Sequence, residues 1–215
     1  MRYLITTLKE LVIGGVDLKK SADQWSEKEQ LEAVKEHSGV IDYIKNPSEK
    51  VQLEAVKHHG DAIIHIKNPS EAVQLEAVKI FYAAIEFIEN PSEAVQLEAV
   101  KKFYAIKFIK NPTDKVQLEA VKQNVLAITY IKNPSEEIQL EAIKQGYSAI
   151  RFIKKPTKKV QEEAIKQNVV ALTYIKNPPE EIQLEAVKQS KKAMKFIKKP
   201  TEKAWELHKE LWGED

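Results

Sequence analysis

The dominant feature of this sequence is a unit of about 22 residues that recurs along most of its length. Segment 131–145, IKNPSEEIQLEAIKQ, is a clear copy. Tandem units of roughly 20 to 50 residues are typical of solenoids, in which each unit buries its apolar face only against its neighbours. The glutamine of the QLEA-like string marks the copies, at Gln30, Gln52, Gln74, Gln96, Gln117, Gln139, Gln161 and Gln183, with one residue deleted between Gln96 and Gln117.

Each unit begins with a signal for the start of a helix. In segment 46–49 we predict that Asn46 caps the helix, Pro47 takes its first position and Glu49 follows three residues after the cap. The same signal recurs at Asn68, Asn90, Asn111, Asn133 and Asn177. The apolar residues that follow form one broad face, so the sequence predicts an amphipathic helix A in every unit.

A second, shorter helix B is predicted after helix A. Glycine or asparagine follows helix A in several units, and both residues tolerate the left-handed conformation that often ends a helix. These residues are Gly60, Asn124, Gly146 and Asn168. Next come Ala62, Ile63 and Ile66 at helical spacing, and the following proline ends the segment. We therefore predict an all-α solenoid of about eight helix-turn-helix units with capping helices at both ends.

The ends of the chain depart from the repeat, as the ends of a solenoid must. Residues 1–23 are predicted to form a capping segment that begins as a helix, and Asp23 or Ser26 to cap the first repeat helix. Residues 204–215 carry two tryptophans and are predicted to form a C-terminal capping helix. Residues 24–203 form the repeat array between them.

Composition excludes several kinds of chemistry. The chain has no cysteine, which excludes disulfides, thiol catalysis and cysteine-based zinc sites and fits a reducing compartment. The longest apolar runs stay below the roughly 20 residues that span a membrane. With a formal net charge of +2, the sequence predicts a cytoplasmic protein without a membrane partner.

No residue pattern indicates an enzyme. His37 and His59 occupy the same position in adjacent units, but no carboxylate with metal-ligand spacing joins them. No serine or threonine is arranged with a histidine and an acid, and no glycine-rich phosphate loop is present. We predict no catalytic residue, no metal and no cofactor.

Two adjacent units differ from the others after helix A. Where other units have Gln-Asn or Gln-Gly, these have Ile80-Phe81-Tyr82 and Lys102-Phe103-Tyr104, and the second unit also carries the deletion. The extra rings indicate either local repacking of the core or an exposed anchor for a partner. The candidate partner-binding residues are Phe81, Tyr82, Phe103, Tyr104 and Tyr147.

An aromatic residue also precedes the last isoleucine of most B helices. These residues are Tyr43, Phe87, Phe108, Tyr130, Phe152, Tyr174 and Phe196. Because packed helices lie about 8–10 Å apart, successive rings are too widely spaced to stack consecutive bases of a nucleic acid. We therefore predict that this aromatic ladder packs between neighbouring B helices.

The later part of the array is basic. Segment 144–203 holds 15 Lys or Arg against 6 Glu. Lys158 and Lys159 stand at a helix start, where the helix dipole disfavours cations, so either the glutamates of neighbouring units or a bound anion must compensate them. Candidate anion-binding residues are Arg151, Lys155, Lys158, Lys159, Lys191, Lys192, Lys195 and Lys199.

The string LEAVKQN followed by Ala-Ile/Leu-x-Tyr, as in segment 118–130, resembles a family of uncharacterised tandem helical repeats of large viruses, phages and bacteria. At fold level it is similar to HEAT-like repeats. The resemblance covers residues 27–203 and implies a host-directed protein, for instance an inhibitor of a defence nuclease. We expect a non-enzymatic scaffold that binds a protein partner, with a nucleic-acid or nucleotide-binding solenoid as the alternative.

Overall fold

A computed structural model describes residues 12–13, 16–17 and 22–213, apart from the side chains of residues 12–13, 16–17, 23 and 103. Two short strands, β1 (Val12–Ile13) and β2 (Val16–Asp17), pair antiparallel with Val12 opposite Asp17. The N-terminal helix prediction is thus wrong at these residues, where β-branched side chains favour an extended backbone. The rest of that prediction lies outside the described residues.

The described part of the chain contains nine α-helices, separated by short 3-10 helices. The α-helices are α1 (Glu27–Glu36), α2 (Glu49–His58), α3 (Glu71–Ile80), α4 (Glu93–Ala99), α5 (Asp114–Gln123), α6 (Glu136–Lys144), α7 (Lys158–Gln167), α8 (Glu180–Gln189) and α9 (Glu202–Trp212). The 3-10 helices are η1 (Ala22–Gln24), η2 (Ser38–Tyr43), η3 (Gly60–His65), η4 (Tyr82–Phe87), η5 (Phe103–Phe108), η6 (Val125–Tyr130), η7 (Tyr147–Phe152), η8 (Val169–Tyr174) and η9 (Lys191–Phe196).

The all-α repeat fold is confirmed, and helix B of each repeat is a six-residue 3-10 helix. In η3 the N–H of Ala62 donates to the carbonyl of His59 at 2.9 Å, and the N–H of Ile66 closes the helix on Ile63 at 3.0 Å. Bonds between residues three apart give three residues per turn and suit short segments. Each repeat therefore consists of an α-helix, ten residues long in most copies, followed by a tight 3-10 helix.

The repeat helices begin two residues later than predicted. Ser48 caps α2, because its hydroxyl accepts the N–H of Val51 at 3.4 Å, and Glu49 is the first helical residue. Ser26 caps α1 with a full capping box, as one of the two predicted candidates. The asparagines lie in the preceding turn, where Asn68, Asn90 and Asn177 adopt φ of 51° to 54°. Asparagine tolerates this left-handed conformation better than most residues.

α5 and α7 end directly before Asn124 and Asn168, as predicted, whereas α2 ends two residues before Gly60. α2 stops at His58, one residue past Lys57. Asn124 and Asn168 are extended, with φ of −162° and −164°, and their side-chain oxygens accept the backbone N–H two residues ahead at 2.9 Å. They cap the 3-10 helices rather than end α-helices in the left-handed conformation. Of the four residues predicted for that role, Gly146 alone has a positive φ, at 142°.

The core of most repeats comes from the same six positions. Three lie on the α-helix and three on or just after the 3-10 helix, and two of the six are alanines that let neighbouring helices approach closely. In the repeat that begins at α2 they are Val51, Ala55, Val56, Ala62, Ile63 and Ile66, all buried.

The chain divides into two compact units, Met1–Asn111 and Pro112–Asp215, within the range predicted as one array. Inside each unit, successive α-helices pack on each other and so do successive 3-10 helices. The one-residue deletion shortens α4 to seven residues and leaves η5 complete. In the second unit the predicted C-terminal helix is α9, and the indole N–H of Trp212 donates to the carbonyl of Val187 at 3.0 Å.

The glutamine that marks each repeat joins structural elements. Its Nε2 donates to the carbonyl five residues earlier, at 2.9 to 3.1 Å in every copy. In the second unit, Oε1 of Gln139 and Gln183 also accepts the N–H of the next repeat's capping residue, Thr157 at 3.2 Å and Thr201 at 2.9 Å. The glutamine thus links two repeats through one side chain.

Gln117 and Gln161 lack this second bond. The capping residue after Gln161 is Pro179, which has no N–H to donate, whereas Ser135 follows Gln117. Pro179→Thr is expected to raise the free energy of unfolding by about 1 kcal/mol. The new cap and the new donor together contribute roughly 2 kcal/mol, partly offset by about 0.4–1 kcal/mol from the freer unfolded chain. Urea unfolding measures the change. Pro179→Ala supplies the N–H without the cap and separates the two effects; a threonine variant no more stable than wild type contradicts this account.

Candidate interaction surfaces

The two divergent repeats place an aromatic cluster in the first unit. Phe81 follows α3, Tyr82 begins η4, and Phe108 ends η5. The ring centroids of Phe81 and Tyr82 lie 6.1 Å apart, and those of Tyr82 and Phe108 lie 6.5 Å apart, with tilted planes. These distances are within the range of favourable aromatic contacts. The three rings therefore support one another across two repeats.

Large apolar side chains extend this cluster to the surface. Phe81 is 38% exposed, and its neighbour Ile80 is 51% exposed. Phe87 on η4 and Tyr104 on η5 are 52% and 44% exposed. We call Ile80, Phe81, Tyr82, Phe87, Tyr104 and Phe108 the aromatic patch. Scattered exposed apolar residues are ordinary, but a connected group of this kind is typical of interaction sites.

Close backbone packing holds Phe81 in place. A Cβ built on Gly60 would lie 2.5 Å from the carbonyl oxygen of Ala77 and 2.8 Å from the Cβ of Phe81. These distances are too short for any side chain. Gly60 does not have a positive φ. Its function is therefore to let the end of α3 and the base of Phe81 approach η3, and not to end a helix as predicted.

A cavity of about 500 Å³ adjoins the aromatic patch. Phe87 and Phe108 line it together with Glu86, Glu89 and Gln96. The amide nitrogen of Gln96 donates to Pro91, while its buried Oε1 has no hydrogen-bond partner. The patch is therefore bordered by charges of both signs, the carboxylates of Glu86 and Glu89 and the ammonium groups of Lys107 and Lys110.

The structure brings together part of the predicted partner-binding set. Phe81 and Tyr104 are exposed and Tyr82 is half-buried, whereas the side chain of Phe103 is not among those described. Tyr147 begins η7 in the second unit and is half-buried. The predicted partner-binding set leaves out Ile80, Phe87 and Phe108. The two phenylalanines belong to the regular aromatic ladder, so divergence between copies could not single them out.

The predicted packing role of the aromatic ladder is wrong for its most exposed members. Tyr43, Phe87, Tyr130 and Tyr174 are 40–53% exposed. In a 3-10 helix, residues three apart share one face. Ile85 and Ile88 therefore both point into the core, while the intervening Phe87 is rotated by about a third of a turn toward the surface.

Neighbouring glutamates compensate the lysines at the helix starts of the second unit, as one of the two alternatives predicts. Lys158 pairs with Glu181, and Lys159 lies 3.7 Å from Glu136. The hydrogen bond to Glu181 raises the pKa of Lys158, and the charge of Glu162 raises it further. Both lysines therefore already have protein partners, which argues against a phosphate site at this helix start.

The other predicted cations occupy two places. Arg151, Lys155, Lys195 and Lys199 lie at the ends of η7 and η9 or in the turns that follow, where the guanidinium of Arg151 stands 4.5 Å from the centre of the Phe152 ring. Lys191 and Lys192 begin η9, at its other end. The carbonyl of Lys191 accepts a hydrogen bond from Nε2 of His208 at 3.2 Å. The predicted set therefore does not form one site.

Within residues 12–13, 16–17 and 22–213, no group of three or more His, Asp or Glu side chains is placed to hold a metal ion. No helix in that part is long and apolar enough to cross a membrane. Comparison of the chain with protein-family models, curated proteins and solved structures found no match. The fold thus defines the class, an all-α helical repeat protein, and the resemblance to virus and phage repeats remains a prediction.

Proposed function

We propose that this protein is a non-enzymatic repeat scaffold that binds a protein partner through the aromatic patch. The observation that carries the proposal is the ring cluster of Phe81, Tyr82 and Phe108, which is partly exposed where two successive repeats diverge from the rest. Aromatic side chains on a fixed backbone are the usual energetic centres of protein interfaces.

The surroundings of the patch support a protein rather than a small molecule as the partner. Interfaces combine an apolar centre with a polar rim. Here Ile80 and Phe81 provide exposed apolar surface, and Glu86, Glu89 and Lys110 line the adjoining cavity. Such an arrangement fits a partner that presents an apolar anchor with polar side chains around it. The resemblance to virus and phage repeats points to a host protein as that partner.

The test is capture from candidate host cells, followed by titration of the captured protein with purified variants. Phe81→Ala with Tyr104→Ala is expected to weaken binding at least about 100-fold, because each anchor contributes roughly 2 kcal/mol. The melting temperature should remain within about 3 °C of wild type, as expected for exposed side chains.

Tyr43→Ala with Tyr174→Ala is the matched control, since both rings are exposed and lie outside the patch. This control should bind like wild type. If the two double variants weaken partner binding equally, the patch is excluded as the binding site. A large fall in the melting temperature of the Phe81/Tyr104 variant would show that these rings belong to the core.

A further inference from the structure

The second unit carries a charged surface of its own. An isoleucine closes the 3-10 helix of each repeat. The residue two positions before it and the two residues after it form what we call the turn edge, for example Arg151, Lys154 and Lys155 around Ile153. From repeat to repeat these positions hold eight cations and no carboxylate between residues 132 and 199. The cations are Lys132, Arg151, Lys154, Lys155, Lys176, Lys195, Lys198 and Lys199, all exposed.

These cations differ from the lysines at the helix starts because no described acidic residue forms an ion pair with them. Lys158, Lys159 and Lys203 are each paired with a glutamate of a neighbouring repeat. None of the eight turn-edge cations forms an ion pair with a residue that the structure describes. Their charge is therefore available to a ligand.

Packing places the turn-edge cations side by side. The 3-10 helices η6, η7, η8 and η9 contact one another in succession, so their ends follow one edge of the unit. Lys132, Lys154 and Lys155 line a common cavity of about 270 Å³ that has no carboxylate among its lining residues. The equivalent cavity of the first unit is lined by two carboxylates, Glu86 and Glu89, beside one cation, Lys110. The basic character is thus particular to the second unit.

Aromatic rings alternate with these cations along the edge. Tyr130 and Tyr174 are 44% and 40% exposed, and Phe152 lines the cavity beneath Arg151. A cationic track with interleaved rings is the arrangement that binds single-stranded nucleic acid, since phosphates contact the cations and unpaired bases stack on the rings. Because packed repeats lie about 8–10 Å apart, each ring would take one base, without a continuous stack between rings.

We propose that the turn edge of the second unit binds single-stranded nucleic acid. The eight cations extend over successive repeats, which suits a polyanion better than a single phosphate. An acidic protein would use the charges but not the rings, and a duplex hides the base faces that the rings require.

The test is fluorescence anisotropy of the full chain with labelled single-stranded RNA and DNA of mixed sequence, over a range of salt concentrations. Lys154→Gln with Lys155→Gln is expected to weaken binding about tenfold or more at low salt. It should also make the log–log salt slope shallower by about 1.4, at roughly 0.7 per lost phosphate contact. Lys158→Gln with Lys159→Gln removes the same charge from the same repeat, and its affinity should stay within about twofold of wild type.

Tyr174→Ala separates base stacking from charge. Loss of one stacked base should weaken binding about tenfold without changing the salt slope. Three results would overturn the proposal. The first is absence of binding at low salt, and the second is an equal effect of the two lysine pairs. The third is an affinity for heparin, anionic vesicles or duplex DNA equal to that for single strands. Phe81→Ala with Tyr104→Ala should leave nucleic-acid affinity unchanged, so this test is independent of the protein-partner test.

Discussion

Changing Gln183 to alanine is expected to lower the free energy of unfolding by about 2–4 kcal/mol. This side chain is buried, donates to the carbonyl of Pro178 at 2.9 Å and accepts the N–H of Thr201 at 2.9 Å. Alanine would leave the N–H of Thr201 and the carbonyl of Pro178, on two half-buried residues of successive repeats, without these partners, each at a cost of about 1–3 kcal/mol. Urea and thermal unfolding followed by circular dichroism measure the loss.

Gln161→Ala is the matched control for this prediction. Gln161 donates to Pro156 at 3.1 Å, but its Oε1 has no partner in the wild-type protein. Its replacement should therefore cost about half as much as that of Gln183. Equal losses would show that the bond to Thr201 contributes nothing, and that the repeats are joined by apolar packing alone.

Changing Gly60 to valine is expected to destabilise the first unit by about 3 kcal/mol. Even a single Cβ at this position would lie 2.5 Å from the backbone oxygen of Ala77, so α3 must move away. Overpacking of this kind typically costs about 1–3 kcal/mol, and the two further methyl groups of valine place the cost at the upper end. Thermal unfolding and the near-ultraviolet signal of the nearby aromatic rings report both the loss and the displacement.

Gly39→Ala tests whether that cost arises from the close approach. No atom lies within 4 Å of a Cβ built on Gly39, and its φ is not positive. This variant should match wild type or gain about 0.4–1 kcal/mol, because alanine restricts the unfolded chain. If Gly60→Val is as stable as Gly39→Ala, the contact between η3 and Phe81 does not determine the position of α3.

The sequence predicts the repeat architecture well because the period depends on local chemistry repeated many times. Apolar residues recur at the same positions in each copy, and the α-helices occur in every copy at nearly the predicted residues. The caps were misplaced because Asn46 and Ser48 are both good capping residues, two positions apart. The chain geometry of the turn decides between them, since several asparagines are used there in the left-handed conformation.

The candidate sites were predicted less completely. Divergence between copies identified Phe81, Tyr82 and Tyr104, but a residue that follows the common pattern gives no such signal. Phe87 was interpreted as core because it stands beside Ile88, and its exposure depends on the three-residue turn of η4. An α-helix and a 3-10 helix of six residues share nearly the same apolar pattern.

The amino-acid sequence by itself determines the features that depend on residues close together in the chain. These are the 22-residue period, the α-helices, the repeated apolar core and the basic composition of segment 144–203. Which of the lysines form ion pairs does not follow from the sequence. The lysines of this segment divide into two groups, those such as Lys158 that pair with a glutamate of the next repeat and those such as Lys154 that pair with no described glutamate. That division depends on which residues adjacent repeats bring within 4 Å, and it decides which charges remain available for binding.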